Sequence, residues 1–458
     1  MKIYTLGLCS TLLLGVLPLV DAAESDGLAE LLKVLRDNGT LTAAQYDKLQ
    51  QAVAQPVETP AQPVSQASTA KDDIFGDSGG DGGENQDLLI SSEGGLEVAS
   101  YDGEFSFELG GRLMVDSAFY QQDKADLGNG TELRRARIEL EGTMFTDWAY
   151  ELGVDFSDGN ADVKDAYMAY NGFWPVQLKV GQFKEPFSLE ELTSSRYSTF
   201  MERALPNEFV AGRHIGIGAK TLGKNWTLAG GIFGESFDDD ADDEGDESWG
   251  LSGRLTFAPY QADRKALHFG TALAYRVPDD EQKVKYNVRP ESHITDVKFL
   301  DTGSIKQVDN TLLAGLEMAG IWGPFSLQSE YMQMRVKRLQ DKQNYSFDGW
   351  YVYGSWFITG ESRAYKFKKG VFARVKPRSR KGAWELALRY SELNLNDTDI
   401  NGGLGKNWTL GLNWYINKRF RLMANYIRVD NDQYADADGD VTGNDDPSVM
   451  QMRMQVDF

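Results

Sequence analysis

From residue 104 to the C-terminus, apolar and polar residues alternate with a period of two. In residues 104–119 the odd positions are mostly apolar and the even positions mostly charged or polar. The last segment shows the same pattern, because Met450, Met452 and Met454 alternate with Gln451 and Arg453. Side chains of a β-strand point alternately to its two faces, so each segment is predicted to be a strand with one apolar and one polar face.

Sixteen segments of this kind can be recognised along the chain. They lie near residues 104–121, 132–145, 148–157, 162–171, 175–184, 214–222, 225–234, 248–258, 266–276, 310–321, 325–338, 348–358, 382–394, 405–416, 419–429 and 448–458. An even number of antiparallel strands places both ends on the same side. Short turns such as 146–147 and 417–418 then share the inner side, and the long connections 185–213 and 277–309 lie outside, as in outer-membrane barrels. A short seventeenth strand at 371–376 would break this parity.

Two all-β architectures fit the alternation. A soluble sandwich would bury the apolar faces between two sheets, whereas a transmembrane barrel would turn them toward lipid and enclose a polar lumen. Strands of roughly ten residues or more, long enough to cross a membrane when tilted, favour the barrel. Trp, Tyr and Phe at strand ends and an export signal favour it too. We therefore predict a 16-stranded antiparallel transmembrane β-barrel.

The first hundred residues follow other patterns. Residues 1–22 combine a basic start, an apolar stretch and a small-residue cleavage site, which predicts a signal peptide. Residues 23–55 have helical spacing and predict a small periplasmic helical hairpin or short coiled coil. Residues 56–100 are rich in Pro, Gln, Ser, Gly and Asp and predict a flexible linker, which leaves 101–458 for the barrel.

Composition narrows the function classes. The chain has 23 Phe, 20 Tyr and 10 Trp but only 41% hydrophobic residues, a balance that favours strands over a large helical core. After the leader no apolar stretch approaches the ~18 residues of a membrane-spanning helix, which excludes a helical membrane protein. The one cysteine, Cys9, lies in the predicted leader. A mature chain without thiols has no disulfides, zinc-thiolate site or cysteine nucleophile.

The net charge of −22 comes from three acidic segments. Residues 72–93, 235–247 and 430–446 carry 7, 9 and 7 carboxylates and no Lys or Arg, so that the rest of the chain is close to neutral. These acidic segments and the absence of a basic arm argue against nucleic acid binding. The sequence has three histidines, no Gly-x-Ser-x-Gly elbow and no His-Glu-x-x-His helix, and we expect no enzyme activity, cofactor or metal.

On a barrel, the polar positions of each strand face the lumen. Cations stand opposite the apolar residues at Arg112, Arg135, Arg137, Lys179, Arg254, Arg276, Arg389, Arg419, Arg421 and Arg453. Lumen cations attract anions, and the forked guanidinium favours oxyanions over chloride. Asp116, Glu139 and Glu141 face the same way, and large pores carry both signs, so the arginines alone do not establish anion selectivity.

The connection 185–213 is too long and too apolar for a free surface loop. We expect this third extracellular loop to fold into the barrel and narrow it. It carries Arg196, Arg203 and Arg213 together with several hydroxyl groups, which could hold a partly dehydrated oxyanion. The alternative is a stiffened loop whose cations pair with its own glutamates, Glu185, Glu190, Glu191, Glu202 and Glu208.

Several separated motifs resemble one family, the phosphate-selective porins O and P. They are Leu31–Thr42, Leu133–Arg137, Lys179–Phe187, Thr193–Tyr197 with Met201–Arg203, and Gly382–Ser391. The resemblance covers nearly the whole chain. It implies a homotrimeric sixteen-stranded channel for phosphate or polyphosphate, in which the ion is held between a wall arginine pair and the infolded loop.

Carried over by position, the resemblance implies that Arg134 and Arg135 form the wall pair and that Ser195 and Arg196 are the loop donors. Well-known members have lysine in place of Arg196, a compact ammonium instead of a fork. Adjacent Arg134 and Arg135 would face opposite ways in a regular strand, so either the strand bulges or only Arg135 reaches the ion. Asp165 is the candidate for an inward carboxylate of the site.

The sequence thus predicts an outer-membrane porin of a Gram-negative bacterium that passes anions, with phosphate or polyphosphate as the ligand. The predicted anion-binding residues are Arg112, Arg134, Arg135, Asp165, Ser195, Arg196, Arg203 and Arg254. The expected partners are outer-membrane lipid, lipopolysaccharide and two further copies of the chain. Three alternatives remain: a general or sugar-selective porin, a barrel enzyme such as a lipase or protease, and an adhesin or cell-wall tether.

Overall fold

The computed structural model describes residues 88–92, 95–157, 159–237 and 246–458. The predicted signal peptide (1–22), helical hairpin (23–55) and most of the predicted linker (56–100) lie outside the described residues. None of the helices in the described part of the chain has the length and apolar character needed to cross a membrane.

The described residues form an almost entirely β structure. In chain order the strands are β1 (Leu88–Ser91), β2 (Leu96–Ser100), β3 (Ser106–Gln121), β4 (Gly130–Met144), β5 (Trp148–Asp155), β6 (Asp162–Phe173), β7 (Val176–Lys184), β8 (Arg213–Leu222), β9 (Trp226–Phe233), β10 (Trp249–Ala262), β11 (Lys265–Val277), β12 (Lys283–Val284), β13 (Asn287–Val288), β14 (Leu300–Asp301), β15 (Ile305–Lys306), β16 (Val308–Trp322), β17 (Phe325–Arg338), β18 (Tyr345–Phe357), β19 (Ala364–Lys366), β20 (Val371–Ala373), β21 (Ala383–Asp397), β22 (Ile400–Tyr415), β23 (Phe420–Asn431) and β24 (Ser448–Asp457). One short α-helix, α1 (Leu189–Leu192), and two 3₁₀ helices, Leu205–Phe209 and Phe367–Lys369, lie between strands.

Sixteen of these strands form a closed antiparallel wall, as the alternation predicts. They are β3–β11, β16–β18 and β21–β24, each paired with its neighbours along the chain. The ring closes where β24 pairs with β3, with Val449 opposite Tyr120. Val371–Ala373 pairs instead with Ala364–Lys366 in a separate hairpin, so it adds no seventeenth strand to the wall. The even count therefore holds.

Burial along the wall strands alternates as a barrel requires. On β24, Arg453 is 2% exposed and Gln451 3%, whereas Met452 and Met454 are 46% and 49% exposed. The exposed apolar positions form the lipid-facing surface and the polar positions turn inward. A one-residue slip of any strand would reverse this assignment, so the alternation also determines the register.

Aromatic pairs mark both ends of the lipid-facing surface. At the end of the barrel where short turns connect the strands, called here the short-turn end, Trp384 and Trp414 stack with ring centroids 5.2 Å apart. At the opposite end, called here the long-loop end, the ring centroid of Tyr390 lies 5.1 Å from that of Trp350 and 4.9 Å from that of Trp408. Amphipathic rings favour the membrane interface, so these rows correspond to the two aromatic girdles of an outer-membrane barrel.

The structure differs from the predicted linker at its C-terminal end, where β1 and β2 form a hairpin. β2 continues onto β3, with Leu96 opposite Leu109. The physical reason is the stagger of the barrel: β24 pairs with β3 only down to Arg112, which leaves the edge at residues 106–109 without a partner. β2 covers these backbone groups. The sequence predicts a linker here because glycine and aspartate dominate the composition of the region, and its two apolar runs are short.

Candidate functional site

The third loop, residues 185–212, connects β7 and β8 and contains α1. The Ser188 side chain caps α1 by accepting a hydrogen bond from the Glu191 amide (3.1 Å). The carboxylate of Glu330 on β17 accepts hydrogen bonds from the amides of Leu189 (2.9 Å) and Glu190 (2.8 Å). Glu330 is buried and inward-facing, so the first helical turn of the loop lies against the inner face of the wall.

Arginines from three other wall strands hold the middle of the third loop by its carbonyl oxygens. The hydrogen bonds run from Arg389 to the Glu202 oxygen (3.0 Å), from Arg453 to the Met201 oxygen (2.6 Å) and from Arg421 to the Ser198 oxygen (2.7 Å). A guanidinium has five donors, enough to bind a carboxylate and a backbone carbonyl together. Many of the inward-facing arginines therefore serve to hold the third loop in place.

Apolar residues of the third loop pack against the same wall. Phe187, Leu205 and Phe209 belong to a buried cluster with wall residues that include Leu313 and Met332. Their burial explains why a loop of this length carries so many apolar side chains.

Two further segments reach the third loop from opposite ends of the barrel. From the long-loop end, the fifth loop (residues 278–307) places the Tyr286 ring 5.5 Å from the Phe209 ring. From the short-turn end, residues 358–382, called here the basic segment, bring the Phe372 amide within 3.4 Å of the Thr193 hydroxyl. The third loop is thus held between the fifth loop and the basic segment.

The arginine pair lies at a β-bulge. On β3 and β4, Met114 faces Arg135 and Val115 faces Leu133, so Arg134 is an extra residue in the strand. This allows both arginines to turn inward. Arg134 makes two hydrogen bonds to the Glu202 carboxylate (3.0 and 3.1 Å), and Arg135 lies 3.5 Å from the Met114 sulfur. Of the two geometries considered from sequence, the structure has the bulge.

Arg112, Ser195 and Arg196 meet around the carboxylate of Glu139. Arg112 donates to the Ser195 hydroxyl (2.8 Å) and also pairs with Glu139. Arg196 lies 3.0 Å from the second Glu139 oxygen, and Arg137 is 3.9 Å from the first. One carboxylate is therefore shared by three guanidinium groups.

Arg203 belongs to a third group, around Glu191. The Glu191 carboxylate lies 2.9 Å from the Arg203 guanidinium and 2.7 Å from the Lys184 ammonium. Burial alone would raise the pKa of Glu191, but Arg203 and Lys184 lower it to about 2. Asp165 pairs with Arg213 at 2.6 Å, at the edge of this group rather than beside the arginine pair.

Cations outnumber carboxylates in each of these three groups. The groups are Arg112, Arg137 and Arg196 with Glu139 and Asp155; Arg134, Arg135 and Arg453 with Glu202 and Asp116; and Lys184, Arg203 and Arg213 with Glu191 and Asp165. Each set of five side chains carries a net charge of +1. Each of these three sets, at the contacts of the third loop with the wall, is therefore positive even though most of its arginines are paired.

Arg254, also predicted as an anion-binding residue, lies elsewhere. It makes two hydrogen bonds to Glu317 (2.7 and 2.6 Å) and donates to the Gly370 carbonyl (2.9 Å). His268 completes this cluster, 3.0 Å from Glu317. Arg254 thus fastens the basic segment to β10 and β16, and the structure does not bring it to the other predicted residues.

Sequence reasoning missed two contributors. The first is Glu291 of the fifth loop, a buried carboxylate that bonds Arg389. No local signal marks Glu291, because its partners lie about a hundred residues away. The second is the basic segment, which carries nine Lys or Arg residues and a single carboxylate, Glu361. Its charge is visible in the sequence, but its contact with the third loop is not.

The family model and one of the similar proteins point to the same family. The family model of phosphate-selective porin O and P matches residues 107–458. Porin O of Pseudomonas aeruginosa is 32% identical over 402 residues, which cover 78% of this chain and 90% of that protein. An uncharacterized protein of Caulobacter vibrioides is 31% identical over 379 residues, 78% of this chain and 75% of its own length.

Solved porin structures share the fold. The anion-selective porin from Comamonas acidovorans superimposes with a TM-score of 0.51 at 14% identity and covers 78% of this chain and 100% of its own. The outer membrane protein OmpT of Vibrio cholerae gives 0.50 at 12% identity, over 78% and 98% of the two chains. At these identities the likeness concerns the architecture.

Proposed function

The chain belongs to the phosphate-selective porin O and P family, whose place is the Gram-negative outer membrane, and from this premise we propose that it conducts phosphate or polyphosphate. The pathway runs through the lumen past the third loop. The ligand diffuses through without a covalent step. By the same resemblance, three copies assemble in the membrane, with their outward apolar faces against lipid and lipopolysaccharide.

The observation that carries the proposal is the surplus of cations where the third loop meets the wall. Guanidinium groups fully neutralised by carboxylates would favour a general porin. Here each of the three groups keeps a charge of +1. Such a surplus inside a lumen with low-dielectric walls raises the local concentration of anions and excludes cations.

Arg135 is the best placed residue to receive the ligand. Within the described part of the chain, its guanidinium has a hydrogen bond to the Met114 sulfur and no carboxylate within ion-pair distance. Its charged neighbours include Arg134, Arg203, Arg453 and Glu202. A phosphate beside Arg135 would form charge-assisted hydrogen bonds, which are among the strongest polar contacts in proteins.

The ion pairs that the other arginines form with carboxylates keep phosphate binding moderate. Because Glu139 is shared by three guanidinium groups, an arriving oxyanion can take one of them while the other two retain the carboxylate. Conduction requires sites strong enough to replace hydration and weak enough to release the ion. In the neighbouring groups, centred on Glu202 and Glu191, each carboxylate is likewise shared by two cations, which meets both requirements.

Replacing Arg135 with alanine tests this role. Purified channels in planar bilayers carry chloride current, and phosphate is added as a blocker. We expect Arg135→Ala to raise the phosphate concentration for half block about tenfold, which corresponds to losing ~1.4 kcal/mol of binding. The matched control is Arg335→Ala, an outward-facing arginine of β17, which should leave the block unchanged. Equal block in wild type and Arg135→Ala would contradict the assignment.

A further inference from the structure

The buried carboxylate of Glu291 joins the fifth loop, the third loop and the wall. Its Oε2 oxygen accepts hydrogen bonds from Arg389 (2.6 Å) and from the Thr409 hydroxyl (2.9 Å). Oε1 accepts from the Ser391 hydroxyl and from the Leu205 amide (3.3 Å). Four donors from two wall strands and the third loop thus converge on one two-oxygen anion.

This donor set has the composition of an oxyanion site. It combines a forked guanidinium, two hydroxyls and a backbone amide, and each anionic oxygen receives two hydrogen bonds. Arg389 is 1% exposed, and its Nε atom is buried without a hydrogen-bond partner in the described part of the chain. The site therefore has a donor that its present occupant leaves unused.

The occupant is held at a conformational cost. Glu291 has a φ of 56°, in the left-handed region that side-chain-bearing residues other than Asn and Asp rarely adopt. Residues persist in this region when the surrounding contacts require it. The wall adds one more such contact, because Gln451 donates to the Glu291 carbonyl oxygen (3.1 Å).

Among the described residues, one other charged side chain faces Arg389. Glu190 of α1 lies 3.5 Å from the Arg389 guanidinium, and the centroid of the Phe200 ring lies 4.4 Å from the same guanidinium. Burial raises the pKa of Glu190, which weakens its competition for Arg389. Glu291, with four donors, is the principal anion in the site.

We propose that Arg389, Ser391, Thr409 and the Leu205 amide form a second oxyanion-binding site, which Glu291 occupies as a tethered competitor. Phosphate that reaches the lumen competes with Glu291 for these donors. When phosphate wins, the tip of the fifth loop is released from the third loop. The inference rests on the proposed function, because oxyanions must enter the channel for the competition to occur.

Tethering makes Glu291 an effective competitor. A group on a loop acts at an effective concentration of millimolar or more, and it raises the free-ligand concentration needed for half occupancy in proportion. Removing the carboxylate while keeping the donors should therefore strengthen phosphate binding, the opposite of what removing a ligand-binding residue does.

The first test measures phosphate block of chloride current in Glu291→Ala. We expect half block at a roughly tenfold lower phosphate concentration than in wild type. The double variant Glu291→Ala/Arg389→Met should lose this gain. The control is Glu281→Ala, an exposed residue of the same loop that pairs with Lys283. Unchanged half block in Glu291→Ala, with wild type still blocked, would overturn the inference and leave the proposed function standing.

The second test does not depend on conduction or on the stability of the Glu291 variant. Ser292 is 1% exposed and hydrogen-bonded to the Tyr120 hydroxyl (2.6 Å). In the mature protein, Ser292→Cys should react with a maleimide several-fold faster in phosphate than in chloride of equal ionic strength. Glu281→Cys, already exposed, should react equally in both. Equal rates for Ser292→Cys in phosphate and chloride would refute the release of the loop tip.

Discussion

At the residue scale, each cationic side chain of the site is positioned by the carboxylate with which it pairs. The eight predicted anion-binding residues all lie at inward or loop positions, but the structure separates them into distinct groups. Arg112, Ser195 and Arg196 share Glu139, whereas Arg254 is occupied by Glu317 on the opposite side of the lumen. Alternation in the sequence predicts the face of a side chain. It does not predict its neighbours across strands.

Glu191 makes a pH dependence of the third loop testable. Its pKa is lowered to about 2 from the ordinary glutamate value of 4.5, so its ionised form stabilises the loop above about pH 4.5. That stabilisation is lost as the pH falls from 4.5 through 2. We expect single-channel current to be steady near neutral pH and to flicker increasingly below about pH 4.

The comparison variant is Glu191→Gln, which cannot ionise and should flicker at every pH. Arg203 and Lys184 lose their partner in this variant. Identical pH profiles for Glu191→Gln and wild type would show that Glu191 does not hold the loop.

At the element scale, the period-two pattern predicts the wall strands to within a few residues because each strand must separate lipid from water. The same signal fails for β1 and β2, which are too short and too rich in flanking glycine to show it. It also fails for the fifth loop and the basic segment, whose conformations depend on contacts with distant strands. The bulge at Arg134 could be inferred only because two adjacent arginines made a regular strand implausible.

Deleting one of the two adjacent arginines, Arg134, tests the bulge. Leu133 and Arg135 already face Val115 and Met114 in the pairing of β3 with β4, so the shortened strand keeps both on their present faces. We expect the variant to assemble in the outer membrane and to migrate as wild type in heat-modifiability gels. The control deletes Leu140, in a regular part of β4, which reverses the faces of one flank and should prevent assembly. Failure of the Arg134 deletion alone would contradict the bulge.

At the scale of the whole molecule, charge is distributed unevenly along the barrel axis. The acidic segment 430–446 belongs to an outer loop, in which Asp445 accepts hydrogen bonds from the amides of Lys124 and Ala125. The basic segment lies at the opposite end. The overall charge of −22 therefore says little about the lumen, whose selectivity depends on the small surplus beside the third loop.

The sign of the reversal potential tests the central claim most directly. Wild-type channels are reconstituted in a planar bilayer with a tenfold gradient of potassium chloride, and the zero-current potential is measured. If the groups at the third loop are net positive, chloride should cross the channel more easily than potassium. The zero-current potential should then have the sign of the chloride equilibrium potential. A potential near zero, or one of the sign set by potassium, would contradict the account while leaving the barrel itself untouched.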